Sequence, residues 1–212
     1  MIKAVLFDFD GTIADTNDII LKSWRHVYLN VLGRECTDEE VTNSFGEVLS
    51  DTLIERFPDR DVNELVDMYR GYQVSFYKDE IKICEGMDTL VKELKAKGIK
   101  TGVVTSRVTS STLIGLKKFG LENDFDTVVT CEDTDAHKPS PIPLQIGMDR
   151  LGVTPEECLY VGDSKYDVMC AHNAGVKAVL VNWTICTPES ERTGNAKPDY
   201  IIDTAGELFG II

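Results

Sequence analysis

Val5-Leu6-Phe7-Asp8-Phe9-Asp10-Gly11-Thr12 is the stretch that decides the fold, because it joins a short apolar run to an acidic turn. An apolar, β-leaning run of this length is typical of a strand buried on both faces of a parallel sheet. The first acidic residue follows the run directly, so we expect it at the carboxyl end of the strand, where open α/β sheets bind their ligands. The stretch therefore predicts the first strand of an α/β core.

Apolar runs alternate with helical patterns through the rest of the chain. Five further apolar runs predict strands, and amphipathic helical patterns lie between them. The predicted strands span residues 99–105, 126–130, 158–161, 176–181 and 200–202, and the predicted helices span 88–97, 108–119, 140–151 and 165–174. We therefore expect an α/β fold whose parallel sheet is covered by helices on both faces.

One segment interrupts this alternation. Residues 16–84 contain no convincing strand pattern and only helical periodicity, and Thr37 with Glu40 forms a capping-box pattern that opens a helix. A helical segment of this length after the first strand indicates an inserted lobe. The predicted division is a core of residues 1–15 and 85–212 with an all-helical cap of residues 16–84.

Composition and charge restrict the function. The 212 residues are 42% hydrophobic and 27% charged, as in an ordinary globular protein, and the net charge is −14. Such a surface repels the phosphates of nucleic acids and anionic membranes, so neither is an expected partner. No apolar run approaches the roughly 20 residues of a membrane span, and the N-terminus lacks a secretory pattern. Six scattered cysteines indicate reduced thiols, and the cytoplasm is the expected compartment.

The acidic turn carries the chemistry. Asp8 and Asp10 are two residues apart, so their carboxylates point to the same side of an extended chain and repel each other unless a cation is present. Gly11 supplies a tight turn and lets backbone N–H groups approach an oxyanion. The turn therefore predicts a site for a phosphoryl group and a metal.

Three further groups follow predicted strands or their loops. Thr105-Ser106-Arg107 offers hydroxyl groups at the head of a helix, and Lys138 supplies a compact positive charge for a phosphoryl group. Asp163 and Asp167 share one face of a helix start and suit a hard cation with oxygen ligands. The predicted chemistry is phosphoryl transfer: attack by Asp8 and equatorial contacts from Thr105 and Lys138.

In the same prediction, Asp10 protonates the leaving oxygen and later activates water. The whole constellation resembles the four motifs of the haloacid dehalogenase superfamily. They match in order across the chain as Asp8-Phe9-Asp10-Gly11-Thr12, Thr105, Lys138, and Gly162-Asp163-Ser164 with Asp167. The resemblance implies a Rossmann-like core, a helical cap between the first two motifs, and Mg²⁺ as the cofactor. It implies that Asp8, the backbone carbonyl of Asp10 and Asp163 bind the metal, and that Asp167 orients its waters or ligates directly.

The resemblance also narrows the activity. Dehalogenases of the superfamily lack the second carboxylate of the first motif, so Asp10 argues against that activity. β-Phosphoglucomutases carry a His where this chain has Ile19 and Ile20, which weakens the mutase alternative. The segments 131–143, 182–184 and 197–199 are similar to phosphoglycolate phosphatases and to bacterial inorganic pyrophosphatases. The choice between these two substrates stays open, as does a non-catalytic regulator on the same fold.

Substrate contacts are expected from the motifs and from the cap. The expected partner is a small phosphorylated metabolite, and the expected assembly is a monomer or a weak homodimer. In the cap, the glycine of Phe45-Gly46-Glu47 is expected to form the loop that faces the site. The predicted substrate-binding residues are Gly11, Thr12, Ser106, Arg107, Gly46 and His137.

Overall fold

The computed structural model describes residues 1–42, 48–184 and 186–212. The strands in this part of the chain are β1 (Ala4–Phe7), β2 (Ala14–Asp15), β3 (Lys82–Ile83), β4 (Lys100–Val104), β5 (Thr127–Val129), β6 (Cys158–Gly162), β7 (Lys177–Val181) and β8 (Tyr200–Ile202). The helices are α1 (Asn17–Leu32), α2 (Asp38–Thr42), α3 (Leu49–Arg56), α4 (Val62–Glu80), α5 (Met87–Ala96), α6 (Thr109–Lys118), α7 (Ile142–Leu151) and α8 (Lys165–Asn173). Short 3₁₀ turns follow at several loops.

The main sheet is parallel and has the strand order β5-β4-β1-β6-β7-β8. β1 lies in the centre, with β4 on one side and β6 on the other. The chain therefore changes direction across the sheet beside β1, and such a switch point opens a crevice at the carboxyl ends of the strands. The α/β fold predicted from the alternating pattern is confirmed, and the crevice falls directly after residue 7.

Both faces of the sheet are covered, which explains the continuous apolar run of β1. Ala4 and Leu6 belong to one buried cluster, whereas Val5 and Phe7 belong to the cluster on the opposite face, and none of the four is exposed to solvent. Side chains alternate between faces along a strand, so a strand with two covered faces must be apolar at every position. Helices α7 and α8 contribute to the cluster of Ala4 and Leu6, and α5 and α6 contribute to the cluster of Val5 and Phe7.

The elements described between β2 and β3 are all helices, joined by loops. Their core is a third apolar cluster that includes Trp24, Val27 and Tyr28 of α1, and Leu53 and Leu65 of the helices that follow. The apolar stripe of α1 is therefore buried as its three- and four-residue spacing predicts. The capping box is also present: Thr37 and Glu40 exchange backbone-to-side-chain hydrogen bonds of 2.7 and 3.1 Å.

The two chain crossings between sheet and helical segment form a small antiparallel ribbon. Ala14 pairs with Ile83, and Asp15 pairs with Lys82. The sequence predicted no strand in residues 16–84, so β3 corrects that expectation. A strand of two residues is too short to carry an alternating pattern, and pairing with β2 decides its conformation. The division into a core of residues 1–15 and 85–212 and a cap of residues 16–84 stays a proposal.

Two further expectations concern cysteines and membranes. The six cysteines are free, and four of them are buried: Cys36, Cys84, Cys158 and Cys170. Among the helices of the described residues, none combines the length and the apolar character that crossing a bilayer requires.

Candidate active site

The site is built at the end of β1. Asp8 is 5% exposed, and its backbone N–H donates to Val161 of β6, which extends the sheet by one residue. The following turn needs Gly11, whose φ is +71°. A Cβ at this position would lie 1.9 Å from Oδ2 of Asp163. The glycine therefore serves to bring the backbone of the first motif against the carboxylate of the fourth.

Lys138 reaches the same point from the loop between β5 and α7. Its Nζ lies 3.0 Å from Oδ1 of Asp8 and 2.6 Å from Oδ1 of Asp167, with the lysine side chain 2% exposed. Burial by itself lowers the pKa of Lys138, but the two carboxylates outweigh it and raise the pKa above its usual range. The ammonium group is therefore charged and held in place by two carboxylates.

Asp167 is saturated with hydrogen-bond donors. Its Oδ1 meets Lys138 Nζ and lies 3.0 Å from the hydroxyl of Tyr160, while its Oδ2 accepts from the backbone N–H of Ser164 at 3.0 Å and from Ser164 Oγ at 2.6 Å. A carboxylate offers about four lone-pair sites, and three donors take three of them. The Tyr160 hydroxyl has a single hydrogen and also lies 2.8 Å from the carbonyl oxygen of Val104, so little of Asp167 is left for a metal. This arrangement favours the orienting role among the two roles that the resemblance implies for Asp167.

The buried carboxylates form a cluster that suits a hard cation. One oxygen each from Asp8, Asp163 and Asp167 lies within 4.8 Å of the others. Burial, opposed by Lys138 and assisted by Asp167 and Asp10, raises the pKa of Asp8 to about 7. Burial, followed by the charges of Asp167 and Asp8, also raises the pKa of Asp163. An oxygen-only donor set that repels itself fits Mg²⁺, because a cation removes the repulsion.

Hydroxyl groups line the approach to Asp8. The Thr105 side chain accepts from the backbone N–H of Arg107 at 3.2 Å, which shapes the turn after β4. The hydroxyl of Ser106 is buried and has no hydrogen-bond partner among the described residues, and the same holds for Thr12. Of these residues, Thr105 and Ser106 line the cavity beside Asp8, so the unpartnered Ser106 hydroxyl is a candidate donor to a phosphoryl oxygen.

Asp10 is held by Arg107. The guanidinium Nη1 lies 2.9 Å from Oδ1 and 3.2 Å from Oδ2 of Asp10, and Nη2 donates to Oε1 of Gln73 at 3.0 Å. The Arg107 side chain is 7% exposed, and its guanidinium carbon lies 4.3 Å from the ring centroid of Tyr77. The predicted acid–base carboxylate is thus joined through one arginine to helix α4.

A cavity of about 320 Å³ separates the sheet edge from the helical segment. Its helical wall comes from α1, α3 and α4. The predicted site residues that line it are Asp8, Asp10, Gly11, Thr105, Ser106, Arg107, Lys138 and Asp163. Thr12, His137 and Asp167 are not among its lining residues. Gly46 lies outside the described residues. The role of each of these residues stays a prediction.

The structure adds three residues that sequence reasoning missed. Tyr160 orients Asp167, Gln73 holds Arg107, and the hydroxyl of Thr184 donates to Oδ2 of Asp163 at 3.2 Å. Thr184 closely follows β7, so the rule that located the other strand-end residues also applied to it. Tyr160 and Gln73 gave no such signal, because one sits inside an apolar strand and the other on a helix.

The sequence profile of the haloacid dehalogenase-like hydrolases matches residues 5–181. The fold and the site define a phosphatase with an α/β core. The chain belongs to the haloacid dehalogenase-like hydrolase family, as the motif resemblance predicted.

Individual proteins of this family are similar to the chain over nearly their whole length. A Clostridium perfringens protein named "Putative pyrophosphatase PpaX" is 39% identical over 212 residues, covering 100% of this chain and 98% of the relative. Pyrophosphatase PpaX of Bacillus mycoides is 35% identical over 216 residues, covering 100% and 97%. Among solved structures, a haloacid dehalogenase-like hydrolase from Bacteroides fragilis has a TM-score of 0.89 at 28% identity and covers 98% of this chain and 100% of its own.

Proposed function

We propose that this phosphatase hydrolyses inorganic pyrophosphate, requires Mg²⁺, and forms a covalent aspartyl-phosphate on Asp8. The observation that carries the proposal is the position of Asp8: a buried carboxylate on the cavity wall, whose Oδ1 lies 3.0 Å from Nζ of Lys138 and has no other partner among the described residues. A buried carboxylate on a cavity wall has little water around it and can attack the phosphorus of a bound substrate. The full-length similarity to proteins named pyrophosphatase supports the choice of substrate.

Asp8, the backbone carbonyl of Asp10 and Asp163 would hold the metal, with Asp167 as its orienting group. When bound, Mg²⁺ supplies positive charge that neutralises the carboxylates and the phosphoryl oxygens. Lys138 adds a second positive charge at the same place, and its two carboxylate partners keep it from moving. Thr105 and Ser106 offer hydroxyl donors to the equatorial oxygens, whose charge grows in the transition state.

The reaction then has two balanced steps. A carboxylate oxygen of Asp8 attacks phosphorus, the bond to the leaving oxygen breaks with its electron pair, and Asp10 donates a proton to that oxygen. Water next attacks the phosphorus of the aspartyl-phosphate and gives its proton to Asp10. Orthophosphate leaves and the Asp8 carboxylate is restored, so Asp10 serves first as acid and then as base.

The cavity favours a small substrate. At about 320 Å³ it lies at the lower end of the range for small-molecule sites, and it is bounded by helices α1, α3 and α4. Pyrophosphate and phosphoglycolate are both small and anionic, so the resemblance to phosphoglycolate phosphatases keeps the second substrate as a comparison arm. Ile19 and Ile20 at the position of the mutase histidine argue against a phosphosugar mutase.

The test is a steady-state assay of the purified chain with pyrophosphate, phosphoglycolate, glucose 1-phosphate and para-nitrophenyl phosphate, with Mg²⁺ or with EDTA. We expect the highest kcat/KM for pyrophosphate and no turnover in EDTA. Asp8→Asn should lower the rate at least about 1,000-fold while circular dichroism is unchanged, because an amide does not attack phosphorus. Retention of more than a few per cent of the rate in Asp8→Asn would contradict the assignment of the nucleophile. A clear preference for phosphoglycolate would contradict the choice of pyrophosphate as the substrate and leave the assignment of the nucleophile untouched.

A further inference from the structure

Arg107 contacts two parts of the site: the first motif, through Asp10, and helix α4. From the loop after β4, its guanidinium pairs with both carboxylate oxygens of Asp10 and donates to Gln73 of α4. Its face lies over the ring of Tyr77, also in α4. An arginine that contacts a carboxylate through Nη1 and an amide oxygen through Nη2, and that stacks on an aromatic ring, has a well-defined position that lysine does not reproduce.

This pair has a consequence for the acid–base step. Asp10, with a side chain 26% exposed, lines the cavity, yet both of its oxygens point to Arg107. A general acid must lie within hydrogen-bond distance of the leaving oxygen. Contact with the leaving oxygen therefore competes with the guanidinium for an oxygen of Asp10 and weakens this pair. Some other negative charge must then take its place, because an unpaired, nearly buried guanidinium is costly.

The leaving group is the natural source of that charge. Among the residues that the structure describes, three cations line the cavity: Arg70, Arg107 and Lys138. Lys138 is already held by the carboxylates of Asp8 and Asp167, and Arg70 of α4 is exposed to solvent although it lines the cavity. Arg107 has five N–H donors, of which the buried Nε has no hydrogen-bond partner among the described residues. It can accept a second anion without leaving its place.

We propose that Arg107 is the residue that determines specificity for a negatively charged leaving group, and that binding this charge releases Asp10 for its contact with the leaving oxygen. The proposal rests on the proposed phosphatase mechanism and names its substrate class: phosphate compounds whose leaving group carries its own phosphate or carboxylate next to the scissile oxygen. Pyrophosphate belongs to this class, and so does phosphoglycolate. A neutral alcohol or phenol as leaving group does not.

The first experiment compares kcat/KM for pyrophosphate and para-nitrophenyl phosphate in Arg107→Gln, Arg107→Lys and the matched control Arg70→Gln. Arg107→Gln should lower the value for pyrophosphate at least about 100-fold and change the value for para-nitrophenyl phosphate by less than about threefold, because the phenolate needs neither the charge nor the proton. Arg107→Lys should recover part of the loss. Arg70→Gln should change the ratio of the two substrates by less than about threefold.

A binding measurement separates this inference from a folding defect and from the proposed function. In the Asp8→Asn background, with Mg²⁺, Arg107→Gln should weaken pyrophosphate binding at least about tenfold in calorimetry and orthophosphate binding by less than about threefold, because orthophosphate carries no leaving group. Equal losses for both ligands, or equal losses for both substrates, would overturn the role of Arg107. A selective loss of activity on pyrophosphate in Arg70→Gln, and not in Arg107→Gln, would overturn it as well. If wild-type protein prefers phosphoglycolate, the substrate proposal fails, and the same comparison made with phosphoglycolate still tests Arg107.

Discussion

Two glycines give a residue-scale test of how closely the motifs approach each other. Gly11 and Gly33 have nearly the same φ, +71° and +68°. A Cβ on Gly33 would meet no described atom within 4 Å, whereas a Cβ on Gly11 would clash with the carboxylate of Asp163. The two positions thus share the backbone penalty of an alanine substitution and differ only in the close approach.

We expect Gly33→Ala to cost about 1 kcal/mol of unfolding free energy and to leave the activity unchanged. Gly11→Ala should cost more and weaken Mg²⁺ binding at least about tenfold, because the new methyl group displaces Asp163. Denaturant unfolding and Mg²⁺ titration of both variants provide the measurements. Equal stability losses with unchanged Mg²⁺ affinity would show that the contact between the first and fourth motifs has no functional weight.

The carboxylate cluster predicts a dependence of stability on pH in the metal-free protein. The pKa of Asp8 rises from 3.8 to about 7 on folding, and that of Asp163 rises as well. A carboxyl whose pKa is raised by folding contributes its full stability below about pH 4 and loses it as the pH rises through the folded pKa of about 7. The metal-free cluster is therefore destabilising at pH 8.

Asp163→Asn removes one of these charges. In EDTA it should raise the unfolding free energy by about 1–3 kcal/mol at pH 8 and by much less at pH 5. Mg²⁺ should stabilise the wild type and leave the variant unchanged. Thermal unfolding at both pH values is the measurement, with the exposed Asp59→Asn as control. A wild type that Mg²⁺ does not stabilise would argue against a metal at this cluster.

The predictability of the site also differs between residues. Asp8, Thr105 and Asp163 were predicted because each follows an apolar run, and the rule that parallel strands end at one edge brings them together. The pair of Arg107 and Asp10 was not predicted. It joins residues 97 positions apart through side-chain geometry alone, and no local pattern in the sequence reports such a contact.

Among the elements, helix α8 shows how a helix start serves the site. Ser164 caps this helix: its Oγ accepts from the backbone N–H of Asp167 at 3.2 Å and donates to Oδ2 of the same residue. The capping box therefore fixes both the first turn of the helix and the carboxylate that holds Lys138. The cap of α2, formed by Thr37 and Glu40, has the same pattern far from the carboxylate cluster.

We expect Ser164→Ala to cost about 1 kcal/mol of stability and to lower kcat at least about tenfold, because Asp167 and Lys138 lose their support. Thr37→Ala is the matched control and should destabilise its helix without changing kcat. Chemical denaturation and steady-state kinetics at saturating pyrophosphate measure the two effects. If both variants lose only stability, the orientation of Asp167 does not depend on the helix cap.

The strands of the main sheet were predicted well, and the two-residue strands of the ribbon were not. The runs that become β4, β6, β7 and β8 were placed within one or two residues of their observed ends, since several apolar positions in a row leave little choice. The ribbon of β2 and β3 escaped prediction because two residues carry no period. Its pairing depends on the sheet and the helical segment meeting at this point, which is a property of the tertiary structure.

For the whole molecule, charge is the feature with a kinetic consequence. A protein of net charge −14 repels an anionic substrate before the site is reached. Raising the ionic strength from about 10 to 150 mM shortens the Debye length from about 30 to 8 Å and screens this repulsion. We expect kcat/KM for pyrophosphate to rise roughly twofold or more over this range.

The comparison substrate is para-nitrophenyl phosphate, which carries less charge and should show a smaller rise. Free Mg²⁺ is held constant throughout, so that the change reports on screening alone. A fall of kcat/KM with salt would mean that local positive charge at the cavity governs the encounter, in spite of the acidic surface.

The ribbon of β2 and β3 has a consequence for how such a protein can change over generations. Because Ala14 lies beside Ile83, the inserted helices leave the sheet and return to it at neighbouring points. A gene segment that encodes a different lobe can therefore replace the present one at this insertion point without changing the strand order of the sheet. The catalytic residues of the sheet then stay the same while the substrate selectivity changes with the lobe. One inherited catalyst can in this way acquire many substrates.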